Sequence, residues 1–241
     1  MKAYKQEHDY TYTSGAYATI EMLLARPEII KKVYIHSKFI DKCGLIQLCK
    51  DLNVEYEHND GAFKRVNQKE NSYVLGMFHK YPSKLSKDAP HVVLVNPADT
   101  GNLGTIIRTL VGFGVNNLAI ITPAVDIWNP KVLRASMGAY FKMKIEQFAS
   151  FEEYRIRFSK HSLYPFMLDA ELELTIENCP KTGDLYSLIF GNEATGLPAD
   201  FKHIGTSVKL SQSSNVDSLN LSVAVGVGVF IFSQSLKIEW G

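Results

Sequence analysis

The stretch that most constrains the fold of this chain is HVVLVNPADTGNLGTIIRTLVGFGV, residues 91–115. Residues 91–95 are almost wholly apolar, which predicts a buried strand. A turn containing proline and glycine follows. Apolar residues then recur at helical spacing, which predicts a helix over residues 102–113 with Asn102 as its N-cap. A buried strand joined to a helix by such a turn is typical of parallel α/β sheets, in which ligands commonly bind over the turn.

The same alternation of strands and helices predicts an α/β fold with two domains. Proline, serine and lysine cluster in YPSKLSKDAP, residues 81–90, and this composition predicts a linker over residues 83–90. The linker separates a smaller α/β domain, residues 1–82, from a larger one, residues 91–241. Both segments are of ordinary domain size.

Hydrophobic patterns predict the remaining elements. In the first domain they predict a helix that starts at Ser14 and stops at Pro27, a helix over 45–52, and strands over 31–37, 54–58 and 72–78. In the second domain they predict strands over 117–121, 164–170, 186–191 and 208–210, a helix from Pro130, and a last helix from about Leu219 to about Leu236. The last run is rich in β-branched residues and would also score as a strand, but its length favours a helix.

Composition and cysteine content exclude several classes of protein. The net charge is +1, so no overall field draws the chain onto nucleic acid. Three cysteines without a CxxC pair argue against a zinc site or a disulfide framework, and they favour a reducing cytoplasm. The polar N-terminus lacks the apolar core of a signal peptide, and the longest apolar run, residues 219–232, is too short and too polar to span a bilayer. We therefore expect a soluble cytoplasmic protein with no metal and no membrane partner.

One arginine stands out in the helix that follows the first turn. Gly104, Arg108 and Gly112 are spaced four residues apart, so they form one row on the side opposite the apolar stripe. Each glycine lowers helix propensity by about 1 kcal/mol, so a neighbouring group should need the space. Two interpretations stay open. A bulky, planar or phosphate-bearing ligand approaches the backbone here, or helices pack closely at an interface with Arg108 at its rim.

The glycine spacing excludes the common nucleotide-binding sites. Gly101, Gly104, Gly112 and Gly114 do not form GxGxxG, and Thr122 stands at the end of the next strand, where a dinucleotide-binding fold has an acidic residue. The segment also lacks a GK[ST] sequence, which excludes a Walker motif.

Two later stretches have the same order of strand, turn and helix. Glu193 follows the predicted strand YSLIFG, and the last helix has Ser218 as its predicted N-cap and Asn220 in its first turn. In a parallel sheet the carboxyl ends of the strands meet at one edge, so these residues can converge with Asn102 and Arg108. Taken singly, each residue also has a purely structural interpretation, as a cap, a solvated loop residue or a polar residue of a first turn.

Together the three stretches resemble the SpoU family of RNA ribose 2′-O-methyltransferases, within the knotted SPOUT superfamily. The resemblance covers about residues 89–236, and its motifs occur in the order that the family has them. The matching residues are Asn102, Gly104, Arg108, Phe113 and Gly114; then Ser136, Gly138 and Ala139; then Gly191, Glu193, Gly196 and Leu197; and last Ser218, Leu219, Asn220, Ser222 and Ala224. Two departures are Asp99-Thr100 in place of Asp-Pro, and Leu210-Ser211-Gln212 in place of Ile-Pro-Met.

The resemblance implies a fold, a cofactor and partners. It implies a knotted (trefoil), mainly parallel C-terminal domain, a homodimer, and a smaller N-terminal domain, residues 1–82, that is similar to ribosomal-protein-like RNA-binding domains. The implied reaction is S-adenosylmethionine-dependent methyl transfer to a ribose 2′-hydroxyl of structured RNA, ribosomal RNA more than transfer RNA. The alternative is an RNA-binding module of the same fold in which cofactor binding is weak or lost.

The resemblance also implies roles for single residues. The implied catalytic residues are Arg108, Asn102, Glu193, Ser218 and Asn220, and the implied cofactor-binding residues are Gly191, Asn192, Leu210 and Leu219. Arg108 is expected to bind the phosphate next to the target ribose, because a guanidinium stays protonated in proteins and makes a poor base. Glu193 is expected to orient Arg108. Asn102, Ser218 and Asn220 are expected to hold ribose and cofactor through hydrogen bonds, and small residues of the last helix are expected to permit close packing.

Overall fold

The computed structural model describes residues 2–66, 72–180, 183 and 185–235. The chain divides into two compact units, Met1–Pro82 with Asp126–Lys142 and Ser83–Val125 with Met143–Gly241. Each unit is α/β, and the sheet of the second unit is entirely parallel, in agreement with the predicted fold class. The trefoil knot stays a prediction.

The bounds of the elements are as follows. Within the described residues, the helices are α1 (Ala16–Ala25), α2 (Leu45–Asp51), α3 (Asp60–Arg65), α4 (Thr100–Gly112), α5 (Pro130–Ala135), α6 (Phe151–Arg157) and α7 (Leu221–Ser235). The strands are β1 (Tyr10–Ser14), β2 (Ile30–Ile35), β3 (Tyr56–His58), β4 (Val74–His79), β5 (His91–Val95), β6 (Asn117–Ile121), β7 (Lys144–Phe148), β8 (Ser162–Pro165), β9 (Leu172–Glu173), β10 (Tyr186–Phe190) and β11 (Val208–Lys209). None of these helices has both the length and the apolar character that a bilayer crossing requires.

The first unit is built on a four-stranded sheet in the order β1-β4-β2-β3. Strand β4 pairs antiparallel with β1 and β2, and β2 pairs parallel with β3. The helix predicted from Ser14 begins instead at Ala16, because Tyr10–Ser14 forms a strand that the helical pattern did not indicate. Its threonines Thr11 and Thr13 are buried, and the Thr13 hydroxyl shares a 2.7 Å hydrogen bond with that of Thr19.

Residues 126–142, which the sequence places in the second domain, belong to the first unit. They carry part of its aromatic core. The ring of Trp128 lies 5.1 Å from that of Tyr81 and 5.3 Å from that of Tyr140, and its carbonyl accepts a 2.9 Å hydrogen bond from the Thr11 hydroxyl. The hydrophobic pattern predicted α5 correctly from Pro130, but a local pattern does not say which sheet a helix joins.

The second unit has a five-stranded parallel sheet in the order β7-β6-β5-β10-β8. Strands β5, β6 and β10 are buried along their whole length, as parallel strands covered on both faces should be. The first two match the predicted ranges 91–95 and 117–121, and β10 lies within the predicted range 186–191. The predicted strand over 164–170 is largely wrong, since β8 ends at Pro165, and β7 and β9 were not predicted.

The predicted linker is an integral part of the second unit. Leu85 is buried in a core cluster with strand residues of the parallel sheet. The backbone N–H of Leu85 donates to the Glu146 carboxylate at 2.9 Å, and that of Ser86 donates to the Asn117 side chain at 2.9 Å. The middle of the segment 83–90 is therefore attached to the parallel sheet through Leu85 and Ser86.

The last helix packs closely against α4 in the second unit. A methyl group added at Gly226 would lie 3.4 Å from the Thr109 side chain, and one added at Gly228 would lie 2.7 Å from the ring of Phe166. The helix interpretation of this β-branched run is confirmed, and Gly226 and Gly228 pack closely within the chain. Leu236, to which the predicted helix extends, lies outside the described residues.

A buried hydrogen-bonded network lies at the amino end of the parallel sheet. Nε2 of His91 bonds the Ser86 carbonyl at 2.7 Å, so this nitrogen carries the proton, and Nδ1 accepts from the Tyr154 hydroxyl at 2.8 Å. Ser187 donates to Tyr154 at 2.6 Å and accepts from Nδ1 of His161 at 2.9 Å. These directions are the ones that neutral imidazole rings allow. Burial lowers the pKa of His91 to about 4 and also lowers the pKa of His161.

Candidate active site

The predicted site residues gather at the carboxyl end of the parallel sheet, where β5 and β10 end side by side. Nδ2 of Asn192 donates to the Asn96 carbonyl at 2.8 Å and so ties the two strand ends together. Oδ1 of Asn192 accepts from the backbone N–H groups of Ala194 and Thr195 at 2.9 and 3.2 Å. The side chain predicted to bind cofactor is therefore occupied within the protein, where it shapes the turn after β10.

The Glu193 carboxylate anchors the loop between β5 and α4. It accepts from the backbone N–H groups of Ala98 and Asp99 at 3.0 and 3.2 Å, and from Nδ2 of Asn102 at 3.3 Å. Three donors on one carboxylate satisfy most of its accepting capacity. The expected hydrogen bond between Glu193 and Arg108 is not among its contacts.

Asn102 and Asn220 continue this chain of hydrogen bonds. A carboxylate only accepts, so Nδ2 of Asn102 must face Glu193, and its Oδ1 then accepts from Nδ2 of Asn220 at 3.0 Å. Oδ1 of Asn220 in turn accepts from the backbone N–H and the hydroxyl of Ser222 at 2.9 and 2.6 Å. Three of the five predicted catalytic residues are thereby joined in one orientation.

The caps of both helices differ from the prediction. Asp99, not Asn102, is the N-cap of α4, and its side chain accepts from the Asn102 N–H at 2.7 Å. Asn220, not Ser218, caps α7 through its bond from the Ser222 N–H. Because Asp99 takes the capping role, the Asn102 side chain is released for the site. An aspartate three residues before Asn102 was the sequence signal for this cap, and sequence reasoning missed it.

Arg108 does not belong to the hydrogen-bonded chain that joins Asn102, Glu193 and Asn220. It is exposed on α4 and makes no hydrogen bond or ion pair among the residues that the structure describes. Gly112 is also exposed, with no atom within 4 Å of an added methyl group, but Gly104 is buried. The row of Gly104, Arg108 and Gly112 is therefore buried at its first residue, next to Leu103, and exposed at the other two.

An open cavity of about 240 Å³ lies beside the amide chain. It is lined by all four of the predicted cofactor-binding residues, Gly191, Asn192, Leu210 and Leu219, and also by Glu193 and Ser218. A methyl group added at Gly191 would lie 2.1 Å from the backbone carbon of Gly196, so only glycine fits here. The cavity also contains Phe166, whose ring stacks on that of Phe190 at 4.2 Å and which the sequence pattern did not indicate.

The described residues contain no group of three or more His, Cys, Asp or Glu side chains able to hold a metal ion. The cavity lining has two charged side chains of opposite sign, Glu193 and Lys209. The arrangement therefore offers hydrogen-bond donors, hydrogen-bond acceptors and a shaped, partly apolar wall, which suit the binding and orientation of an organic ligand.

Comparison with known proteins agrees with this geometry. Residues 89–230, more than half of the chain, match the family described as the SpoU rRNA Methylase family. The chain belongs to this family. The matched residues include both strand ends, the helix with Arg108 and most of α7, so the family resemblance seen in the sequence is confirmed.

Individual relatives match over different lengths. The chain is 22% identical over 210 residues to the 23S rRNA (guanosine(2553)-2'-O)-methyltransferase RlmP of Bacillus subtilis, covering 85% of this chain and 81% of that protein. It is 40% identical over 81 residues to rRNA methyltransferase 3, mitochondrial, of Xenopus tropicalis, covering 30% of this chain and only 20% of that protein. The matched segment thus spans about a fifth of the Xenopus relative.

A solved structure shares the fold. An AdoMet-bound rRNA methyltransferase from Sinorhizobium meliloti superposes with a TM-score of 0.79 at 22% identity, covering 96% of this chain and 89% of that one. This likeness covers nearly the whole chain, so the shared fold includes the first unit as well as the parallel sheet of the second.

Proposed function

We propose that this protein transfers a methyl group from S-adenosylmethionine to a ribose 2′-hydroxyl of structured RNA, with ribosomal RNA favoured over transfer RNA. The observation that carries the proposal is the hydrogen-bonded chain Glu193–Asn102–Asn220, which lies beside a cavity in a member of the SpoU rRNA Methylase family. The names of the matched relatives, which are rRNA methyltransferases, support the same reaction and the same class of RNA.

The residues around the cavity fit S-adenosylmethionine. Apolar side chains of Phe166, Leu210 and Leu219 suit the faces of an adenine ring, and the bare backbone at Gly191 allows close approach of a ligand. The charges of Glu193 and Lys209 suit a ligand that carries both signs of charge. When bound, S-adenosylmethionine supplies a methyl group on a positively charged sulfur.

The polar residues would position the reacting groups. Ser218 lines the cavity, and no hydrogen bond of its hydroxyl occurs within the described part of the chain, so it remains able to bind a ligand. Asn220 has one N–H of its amide left after bonding Asn102, and Asn102 likewise has one left after bonding Glu193. Because the Glu193 oxygens already accept three hydrogen bonds, we assign Glu193 the orientation of Asn102 rather than proton abstraction.

Arg108 is proposed to bind the phosphate adjacent to the target ribose. A guanidinium binds phosphate through two parallel hydrogen bonds, and Arg108 has an exposed side chain that is not engaged by a described residue. Its charge would also stabilise negative charge that develops on the attacking oxygen. This assignment needs no change in the protonation of the arginine.

Three further assignments belong to the proposal. The domain predicted over residues 1–82 is proposed to bind substrate RNA, and the protein is proposed to act in the cytoplasm. A homodimer is proposed because Val223, Val227 and Phe230 form an exposed apolar row on α7, a helix whose described residues carry no charge. A monomer at micromolar concentration in analytical sedimentation would rule the dimer out.

Calorimetry followed by modification mapping tests the proposed function. The protein should bind S-adenosylmethionine and S-adenosylhomocysteine in the presence of a chelator. A strain lacking this protein should lose a ribose 2′-O-methyl group in ribosomal RNA, and restoring the protein should restore that group. Binding of RNA without either cofactor compound would favour the alternative, an RNA-binding module of the same fold.

A further inference from the structure

Two neighbouring polar residues, Ser211 and Gln212, stand where the family has proline and methionine. Both side chains form hydrogen bonds that proline and methionine cannot form. The Ser211 hydroxyl donates to the Glu173 carboxylate, and Nε2 of Gln212 donates to the Asp217 carbonyl at 3.1 Å. A carbonyl only accepts, so this bond determines which end of the Gln212 amide faces Asp217.

The bond from Gln212 to Asp217 joins the two ends of an exposed loop, residues 213–217. The chain before the loop contributes Leu210 and Gln212 to the cavity wall, and the chain directly after it contributes Ser218 and Leu219. The hydrogen bond therefore sets the separation of two segments that line the same cavity.

The bond from Ser211 extends the attachment of the short strand β11. Strands β9 and β11 pair over only two residues each, with Lys209 opposite Glu173 at the end of the ladder. Ser211 lies two residues beyond Lys209 and reaches back to the Glu173 carboxylate. The chain after β11, which leads into the cavity wall, is therefore attached to Glu173 by a side chain beyond the last backbone pair of the ladder.

We infer that Gln212 is a positioning residue. It holds the two ends of the loop 213–217 together, and with them the two segments that line the cavity, while Ser211 attaches the segment before the loop to Glu173. In this chain the two polar side chains supply the rigidity that a proline supplies by restricting the backbone. The inference rests on the proposed function, because its consequence is the affinity for S-adenosylmethionine.

Replacing Gln212 by glutamate tests the inference. Gln212→Glu keeps the size of the side chain but removes the N–H donor and places a carboxylate against the Asp217 carbonyl. We expect the Kd for S-adenosylmethionine and for S-adenosylhomocysteine to rise roughly fivefold, as for the loss of one hydrogen bond. The KM for the cofactor should rise in proportion, whereas kcat at saturating cofactor and the melting temperature without cofactor should stay at their wild-type values.

Three companion variants separate the effect of the Gln212–Asp217 hydrogen bond from the effects of added charge and of general structural damage. Asn215→Asp makes the same amide-to-carboxylate change at an exposed side chain of the loop, residues 213–217. It leaves the Gln212–Asp217 hydrogen bond in place, so this variant should bind cofactor as the wild type does. Gln212→Met should weaken binding, and adding Ser211→Pro to it should restore affinity, because the family's residue pair then replaces the lost hydrogen bonds.

The outcomes distinguish failure of the positioning role of Gln212 from failure of the proposed function. Wild-type affinity in both Gln212→Glu and Gln212→Met overturns the positioning role while leaving the proposed function intact, and so does an equal loss in Asn215→Asp. A wild-type chain that binds neither cofactor compound overturns the proposed function, and the role of Gln212 with it.

Discussion

Asn102 and Asn220 lie 118 residues apart in the sequence, yet Nδ2 of Asn220 donates a 3.0 Å hydrogen bond to Oδ1 of Asn102. The bond connects the first turn of α4 to the start of α7. Its direction is determined from both sides, because Glu193 takes the Asn102 amide hydrogen and Ser222 occupies the Asn220 oxygen. The pair therefore presents its remaining N–H groups in one arrangement, which makes each member sensitive to isosteric change.

Asn102→Asp should disrupt this arrangement without changing the size of the side chain. The new carboxylate would face Glu193 at the distance of the present 3.3 Å hydrogen bond, so an attractive contact becomes a repulsive one. We expect methylation in single-turnover assays to fall at least tenfold, which corresponds to about 1.4 kcal/mol in the barrier. Asn116→Asp makes the same exchange at an exposed position outside the site and should retain wild-type activity.

Glu193→Gln should lower both stability and activity. The glutamine oxygen can replace one carboxylate oxygen, but its NH2 group would face the N–H donors of Ala98 or Asp99. An unsatisfied donor costs about 1–3 kcal/mol, and each kcal/mol lowers Tm by about 2–4 °C in a chain of this size. The exposed Glu171→Gln is the matched control in thermal melts. Equal melting temperatures for the two variants would contradict the anchoring role of Glu193.

Arg108→Ala should abolish methylation while leaving Tm and cofactor Kd at their wild-type values, because the side chain makes no described contact that supports the fold. Arg108→Lys keeps the charge but loses the planar pair of donors, so it should still lose most of the activity. Titrations with RNA at several salt concentrations should show a shallower salt dependence for the alanine variant. Methylation at the wild-type rate by Arg108→Ala would remove Arg108 from the site.

Two glycine substitutions should have opposite effects on stability. Gly191→Ala would place a methyl group 2.1 Å from the Gly196 backbone, so the turn after β10 must shift, and both Tm and cofactor affinity should fall. Gly112→Ala meets no atom within 4 Å in α4, so Tm should stay the same or rise, since alanine is favoured over glycine in a helix by about 1 kcal/mol. Calorimetry and thermal melts on the two variants measure both effects. A Gly191→Ala protein that binds cofactor normally would show that this backbone is not part of the cofactor site.

The free energy of unfolding should decrease as the pH falls from about 6.5 to about 4. Burial lowers the pKa of His91 to about 4 in the folded protein, against a value near 6.5 in the unfolded chain, so the unfolded state binds more protons in this window. His161 shifts in the same direction and adds to the effect. Urea unfolding at several pH values should show stability that is complete above pH 6.5 and lost progressively below it.

A variant pair assigns this pH dependence to the buried network. His91→Gln should flatten the profile between pH 6.5 and 4, whatever its effect on stability at neutral pH. His203 is exposed, so His203→Gln should leave the slope unchanged. An unchanged slope in His91→Gln would place the titrating group elsewhere.

Much of the fold followed from local patterns. The apolar runs 91–95 and 117–121 are strands with the predicted bounds, and the run after Asn220 is a helix despite its β-branched residues. These assignments succeed because each depends on consecutive residues alone. A parallel strand that is buried on both faces has a continuous apolar sequence, and a long apolar run favours a helix. The motifs around Asn102, Glu193 and Asn220 also identified the family, since their residue types and order are visible without a structure.

The partners of those residues were decided only by the tertiary structure. The sequence pattern assigns Asn102 to a cap and Glu193 to Arg108, whereas the fold gives the cap to Asp99 and brings Glu193 to the backbone of Ala98 and Asp99, 95 and 94 residues away. The tertiary structure also places residues 126–142 in the first unit, whereas the sequence pattern places them in the second domain. Periodicity describes what one segment buries. Which donor meets which acceptor depends on which strands lie side by side, and that is determined by the packing of the whole sheet.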